Sequence, residues 1–363
     1  MPINRIAIVR SLPGLGDLLC AVPAFKALRA AFPHSHITLI GLPWARSFVE
    51  RFHDYFDEFL QFPGFPGIPE ASPQVHKLPE FLASVQQQPF DLALQMHDNG
   101  VVSNFFTVLL GAQINAGFYL PGHYCPDPNY FLPYPESEPE VWRHLQLMDY
   151  LGIPLLGDDL EFPFRQEDFA ELHKLEEVRH LQPREYVCIH PGASVPEKRW
   201  SVEKFAAVAD AISDRGFQVV LTGTAKEAHI TQAVAEMMRF KPIDFAGHTS
   251  LGAIAALLSQ ARLLVSNDTG ISHIAAALQI PSVVIFTNSQ THRWAPLNRK
   301  RHRILSPEIK VISSEWIGCL GKEETGIFSA SSSSALSCHF PVTPGMVISQ
   351  VQELLGAELG VRS

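Results

Sequence analysis

The sequence predicts an α/β fold of two domains, each a parallel sheet covered by helices. Three observations carry this. Seven short β-branched runs recur along the chain, most of them followed by a helical pattern, which is how parallel strands joined by crossover helices read. A Pro-rich, acidic stretch from Pro133 to Asp168 interrupts the alternation midway. A chain of 363 residues also exceeds one ordinary core and suits two domains of about 150 to 180 residues. The expected division is 1–170, 171–345 and a closing helix over 346–363.

The expected strands are RIAIVR (5–10), HITLIGL (36–42), DLALQM (91–96), EYVCIH (185–190), FQVVLTG (217–223), RLLVSN (262–267) and PSVVIF (281–286). In DLLCAVPAFKALRAAFP, the residues Val22, Phe25, Leu28 and Phe32 make an apolar stripe, and Pro23 requires either a first-turn position or a kink. In WSVEKFAAVADAISDRG, Ser201 stands where a cap belongs. Val202, Phe205, Val208 and Ile212 share one face there, and Gly216 suits the carboxyl end. The Pro133–Asp168 stretch holds one good helix, near Val141 to Leu151. From Val311 to Phe340 the chain is serine-rich and low in periodicity, so it reads as an irregular surface segment. TPGMVISQVQELLGAEL follows as the closing helix.

Composition narrows the function. With 46% hydrophobic and 18% charged residues, and no apolar run near the roughly 20 residues that span a bilayer, the chain reads as a globular protein. Its first residues, MPINRIAIVR, enter a β-branched run directly, so the expected location is the cytoplasm. Cys20, Cys125, Cys188, Cys319 and Cys338 are odd in number and scattered, which signals neither a disulfide framework nor a CxxC zinc site. Cys20 and Cys188 read as small buried hydrophobes. A net charge of -9 argues against nucleic acid as a partner.

Four strand-to-helix corners could carry chemistry. In VRSLPGLGDLLCAVPAF, Gly14 and Gly16 follow the first strand and Asp17 stands at the mouth of a helix. Glycines there permit a sharp turn and close approach to an anion, but Asp17, Leu18 and Leu19 after Gly16 break the G-x-G-x-x-G dinucleotide pattern. Asp17 either caps the helix or, facing a cleft, serves as general base; with an ordinary pKa near 4 it takes a proton only as bond formation acidifies the hydroxyl. In CIHPGASVPEKRWSVEKF, Gly192 and Ser194 precede Lys198 and Arg199, a setting for a diphosphate or a plain solvated loop. In LTGTAKEAHI, Glu227 suits ribose hydroxyls or the helix dipole equally. In VSNDTGISHIAAALQIPSVVIF, Asp268 and Thr269 end a strand, Gly270 allows a tight turn, and His273 lies one helical turn on.

Three of these segments, with GLGDLLCAVPAFKALRAAFP, IHPGASVPEKRWSVEKFAAVAD and VSNDTGISHIAAALQIPSVVIF followed by THRWAP, occur in an order and spacing that resembles glycosyltransferase family 9, the ADP-heptose:lipopolysaccharide heptosyltransferases and their relatives. The resemblance implies a GT-B fold of two Rossmann-like domains facing across a cleft, the acceptor on the first and the sugar nucleotide on the second. It implies inverting transfer with no required metal or cofactor, from a nucleotide-sugar donor, ADP-linked by preference, to a saccharide or glycolipid acceptor. On that pattern Asp17 is the general base and Lys198 neutralises the diphosphate. Glu227, Asp268, Thr269, Gly270 and His273 hold the donor, while Gly14, Gly16, Gly192 and Ser194 belong to its backbone and phosphate loops. It further implies a monomer at the inner face of the cell membrane with at most peripheral contact. Cys319 and Cys338 echo a cysteine-containing tail loop of the family. The Pro- and aromatic-rich GFPGIPE and PGHYCPDPNYFLPYP segments either line an acceptor site or pack as surface loops. Two other readings stay open, a non-catalytic nucleotide-sugar-binding protein and a sugar-nucleotide epimerase on the same fold.

Overall fold

The computed structural model describes residues 2–74, 76–313, 328–330 and 335–357, with side chains throughout except at 309–313, 328–330, 335–339 and 357. The chain divides into two compact units, Met1–Arg165 and Gln166–Ser363.

Unit 1 contains β1 (Arg5–Val9), α1 (Leu15–Leu19), α2 (Val22–Ala31), β2 (His36–Gly41), α3 (Ala45–Arg51), β3 (Glu58–Gln61), α4 (Leu78–Gln87), β4 (Leu92–Gln95), α5 (Ser103–Leu109), β5 (Ile114–Tyr119), β6 (Phe131–Pro133) and α6 (Glu140–Tyr150). Its six strands pair in the order β3-β2-β1-β4-β5-β6, all parallel. β1 is central and buried on both faces, which is why it reads as a continuous apolar run. Pro23 falls in the first turn of α2, where its missing N–H costs nothing, so the helix needs no kink. Ala7, Val9, Ile40, Phe90 and Phe106 form one core cluster, and Phe62 meets Phe106 edge-on at 4.9 Å. GFPGIPE packs here: Ile68 is in the core and Phe65 meets the Phe106 ring at 5.6 Å.

Unit 2 contains α7 (Gln166–Leu172), β7 (Tyr186–His190), α8 (Val202–Ser213), β8 (Gln218–Leu221), α9 (Ala228–Met237), β9 (Ile243–Asp244), α10 (Leu251–Gln260), β10 (Leu263–Asn267), α11 (Gly270–Ala277), β11 (Ser282–Ile285), α12 (Thr291–Trp294), β12 (His302–Leu305), β13 (Glu308–Ser313), β14 (Phe328–Ala330), β15 (Ala335–Phe340) and α13 (Pro344–Ala357). Its main sheet, β12-β11-β10-β7-β8-β9, is again parallel and repeats the strand order of unit 1. Phe205, Val208 and Ile212 of α8 join Val347, Val351 and Leu355 of α13 over Val187, Ile189, Val265 and Ile285 of the sheet. Each such side chain contributes roughly 1.5–3 kcal/mol on leaving water. Ser201 occupies the cap position of α8, but its hydroxyl accepts no capping hydrogen bond.

The expected irregular segment from Val311 to Phe340 is corrected in part. β13, β15 and β14 pair antiparallel in that order, with Glu308 opposite Phe340 and Lys310 opposite Cys338. The alternation Leu336, Cys338, Phe340 is a true strand period, hidden in the sequence by its shortness and by neighbouring serines. Cys319 lies outside the described residues. Cys20 and Cys188 are both buried, and burial raises the Cys188 thiol pKa.

Candidate functional site

Both parallel sheets have the strand order in which connections reverse direction beside the first strand, between β1 and β4 in unit 1 and between β7 and β10 in unit 2. Ligands of open α/β sheets bind beyond the carboxyl ends of the strands at such points. The Asp17 corner follows β1, the Gly192–Lys198 corner follows β7, and the Asp268 corner follows β10. Glu227 follows β8, one strand farther out.

In unit 1, Arg10 leaves β1 fully buried and spreads its guanidinium beneath the corner. Its Nε and Nη2 donate to the Asp17 carbonyl at 3.0 and 2.5 Å, Nη1 donates to the Met96 carbonyl at 2.5 Å, and Nη2 also reaches Glu140 Oε1 at 3.2 Å. Glu140 opens α6 and further meets Arg143 Nη1 at 3.5 Å and His144 Nε2 at 3.3 Å. Burial first, and then the Arg10 charge, draws the His144 pKa down to about 4, so its ring is neutral at neutral pH. Asp17 is therefore pinned through its backbone by a buried ionic cluster.

The Asp17 carboxylate, half-buried as the third residue of α1, accepts the Gly14 N–H at Oδ2, 2.9 Å away. The capping geometry foreseen for Asp17 is thus present. A Cβ on Gly14 would lie 2.5 Å from that oxygen, so glycine here makes room for the carboxylate. Beside this corner His97 Nδ1 accepts the Ser11 N–H at 3.3 Å, which leaves the proton on Nε2, 3.5 Å from Glu70 Oε2. The His97 ring holds the Glu70 carboxyl below its usual pKa.

In unit 2 a neutral side chain does the holding. Asn267, the last residue of β10, accepts the Trp200 N–H at 3.0 Å and donates to the Pro191 and Gly192 carbonyls at 2.8 and 3.2 Å. That fastens both ends of the loop after β7. Lys198 ends a short 3-10 turn, Pro196–Lys198, and its Nζ lies 3.0 Å from Asp268 Oδ2. The lysine side chain is 31% exposed and the aspartate 4%. Thr269 holds the cap position of α11 in extended backbone, Gly270 begins the helix, and His273 is buried one turn in. Ser194 is exposed on the loop.

Glu227 closes a capping box: its Oε2 accepts the Thr224 N–H at 2.8 Å and the Thr224 hydroxyl at 2.7 Å. A Cβ on Gly192 would lie 2.3 Å from Glu227 Oε1, so these two sequence-distant candidates share one spot. His190 Nε2 lies 3.9 Å from Glu227 Oε2, and burial lowers the His190 pKa against the pull of that carboxylate. The turn freedom expected of the corner glycines needs correction. Gly14, Gly16, Gly192 and Gly270 all avoid the left-handed region. Gly14 and Gly192 are needed for close approach instead.

Arg10, Glu140, His97 and Asn267 are the supporting residues that sequence reasoning passed over. A usable signal existed for one of them, because an arginine that ends an all-apolar strand is buried only if paired.

Residues 79–315, more than half of the chain, match the family model "Glycosyltransferase family 9 (heptosyltransferase)". The chain belongs to glycosyltransferase family 9. It is 30% identical over 159 residues to lipopolysaccharide heptosyltransferase 3 of Escherichia coli K12, covering 43% of this chain and 46% of that one. The match thus spans about half the length of that curated relative, as it does for two heptosyltransferases of Haemophilus influenzae. A family 9 structure from Veillonella parvula superposes with a TM-score of 0.75 at 22% identity over 98% of both chains. The structure of E. coli ADP-heptose lps heptosyltransferase II gives 0.70 at 20% identity over 98% of this chain and all of the other. The fold is GT-B, built from two Rossmann-like domains.

Proposed function

We propose that this family 9 protein is an inverting glycosyltransferase that moves heptose from ADP-heptose to a saccharide of the lipopolysaccharide core. The observation that carries the reading is the Lys198–Asp268 pair at the amino end of α11. A half-exposed ammonium 3.0 Å from a buried carboxylate, beside the amino end of a helix, suits a diphosphate better than a structural ion pair. Lys198 neutralises the charge that develops as the diphosphate leaves, and no metal is required for that role. Asp268, Thr269, Gly270 and His273 hold the donor, Gly192 and Ser194 offer backbone to the phosphates, and Glu227 takes the ribose.

Asp17 is the general base in this reading. It removes the proton from an acceptor hydroxyl as that oxygen bonds to the anomeric carbon, and the carbon–oxygen bond to ADP breaks with its electron pair leaving on ADP. A single displacement inverts the centre. The acceptor belongs to the first domain, 1–170, with Gly14 and Gly16 shaping its loop, and the donor to the second, 171–345. The protein works as a monomer on the cytoplasmic side, in at most peripheral contact with the membrane. The fold shared with the E. coli ADP-heptose lps heptosyltransferase II supports the donor assignment.

One observation favours the non-catalytic binder: Asp17 Oδ2 and Glu227 Oε2 both already serve capping roles. The deciding experiment incubates purified protein with ADP-heptose and a heptose-deficient core acceptor, measuring ADP release and product mass, beside a thermal-shift screen of ADP-, UDP-, GDP- and dTDP-sugars. A donor at 100 times its dissociation constant stabilises by about 2.7 kcal/mol. The transferase reading expects an ADP-sugar shift together with acceptor-dependent ADP release. A shift without release favours the binder, and no shift with any donor sinks both.

A further inference from the structure

Unit 2 carries a second cationic concavity, away from the Lys198 turn in sequence. It encloses about 450 Å3 and is lined by Thr291 and His292 of α12, Arg299, Arg303 and Ser306 around edge strand β12, and Gln350 of α13. That volume lies within the usual range for small-ligand pockets, roughly 300–1,000 Å3. Among the described residues no carboxylate lines it, in a protein of net charge -9.

The two arginines are short of partners. Arg299 is exposed and makes no side-chain hydrogen bond or ion pair with a described residue, yet its surroundings desolvate it enough to lower its pKa. Arg303 Nη1 donates to the Arg299 carbonyl at 3.4 Å and Nη2 forms a long ion pair with Glu353 at 3.8 Å, beyond hydrogen-bond reach, while Nε is buried with no hydrogen-bond partner. His302 adds no charge, because its Nδ1 is committed to Ser282 Oγ at 2.9 Å and burial draws its pKa down to about 4. Two guanidinium forks with unused donors, flanked by the hydroxyl-bearing Thr291 and Ser306, match an oxyanion with several acceptor oxygens.

We propose that this cavity is a binding site for a phosphate monoester dianion, gripped by Arg299 and Arg303. It uses none of the residues assigned to donor or base, so it stands independently of the transferase reading.

Calorimetric titration of the full chain with inorganic phosphate and with glucose 6-phosphate tests it, using wild type, Arg299→Ala, Arg303→Gln and Lys198→Met. The wild type and Lys198→Met should bind with equal affinity, and either arginine variant at least about 10-fold more weakly. Because Arg299 is exposed, its variant keeps the fold even if the Arg303 variant does not. Equal affinity in wild type and both arginine variants overturns the proposal. So does a loss confined to Lys198→Met, or no saturable binding in the millimolar range. Sedimentation with phosphatidic acid vesicles, against phosphatidylcholine vesicles, identifies the source. Arg299-dependent sedimentation assigns a lipid headgroup, and glucose 6-phosphate binding without sedimentation assigns a soluble ester.

Discussion

The corner after β1 and the corner after β10 begin from the same strand order and each sets an aspartate at the mouth of a helix, yet they are supported by opposite means. Beneath Asp17 the support is a buried ionic cluster, with Arg10 bonded to the Asp17 carbonyl and to Glu140. Beside Asp268 the support is a neutral amide, Asn267, and the charges sit above it with Lys198 partly in water. The difference separates two tasks. An ionic support holds one backbone position rigidly and fails badly when a partner is lost. A neutral support fixes a loop while its lysine, paired with Asp268 but partly in water, keeps donors that an incoming anion can reach.

The contrast can be broken by mutation. Arg10→Met strips Glu140 of a buried partner and should destabilise unit 1 by about 3–5 kcal/mol in urea unfolding, whereas Arg10→Met with Glu140→Leu should recover most of that. A single-variant loss below about 1 kcal/mol would mean that the ionic cluster does not hold the corner. Acid should expose the same asymmetry. A histidine whose folded pKa is about 4, against an ordinary 6.5, binds its proton more readily unfolded, so stability falls as pH drops from about 6.5 to about 4. The His144 contribution is up to about 3 kcal/mol, with the same sign from His302 in unit 2. His144→Gln should therefore flatten part of the slope between pH 7 and 4, with His302 and His190 supplying more of the same sign, and an unchanged slope would refute the assignment.

Smaller effects sharpen the neutral side. Asn267→Ala leaves the Trp200 N–H and the Pro191 carbonyl without their partner, expected to cost about 2 kcal/mol with no dependence on pH between 5 and 8. Gly192→Ala places a methyl against Glu227 Oε1 and displaces the cap on Thr224, a loss of about 1 kcal/mol by thermal unfolding. If Gly192→Ala is as stable as the parent, Glu227 and Gly192 do not share that space.

The seven foreseen strands match observed strands to within two residues at either end, because strands buried on both faces read as short, β-branched apolar runs. The missed strands had local reasons. β3 is an edge strand reading Glu-Phe-Leu-Gln, half polar, and β12 hides behind the basic run from Arg299 to Arg303. β5 carries small residues because a Cβ at Gly117 would lie 2.6 Å from the Gln95 backbone oxygen. At the site, the corners themselves were legible, since glycine, acid and cation cluster within a few residues of each strand end. Their supports were not. Arg10 and Glu140 stand 130 residues apart and Asn267 and Pro191 76 apart, and no single-chain pattern links such pairs.

The two corners divide the work between base and donor, and heptose transfer by Asp17→Asn and Lys198→Met, measured beside ADP-heptose binding, separates their roles. Asp17→Asn should bind the donor as tightly as wild type while transfer falls by about 10²–10⁴-fold, and Lys198→Met should weaken donor binding as well as transfer. Wild-type transfer by Asp17→Asn, or donor binding lost in Asp17→Asn and kept in Lys198→Met, would contradict the account.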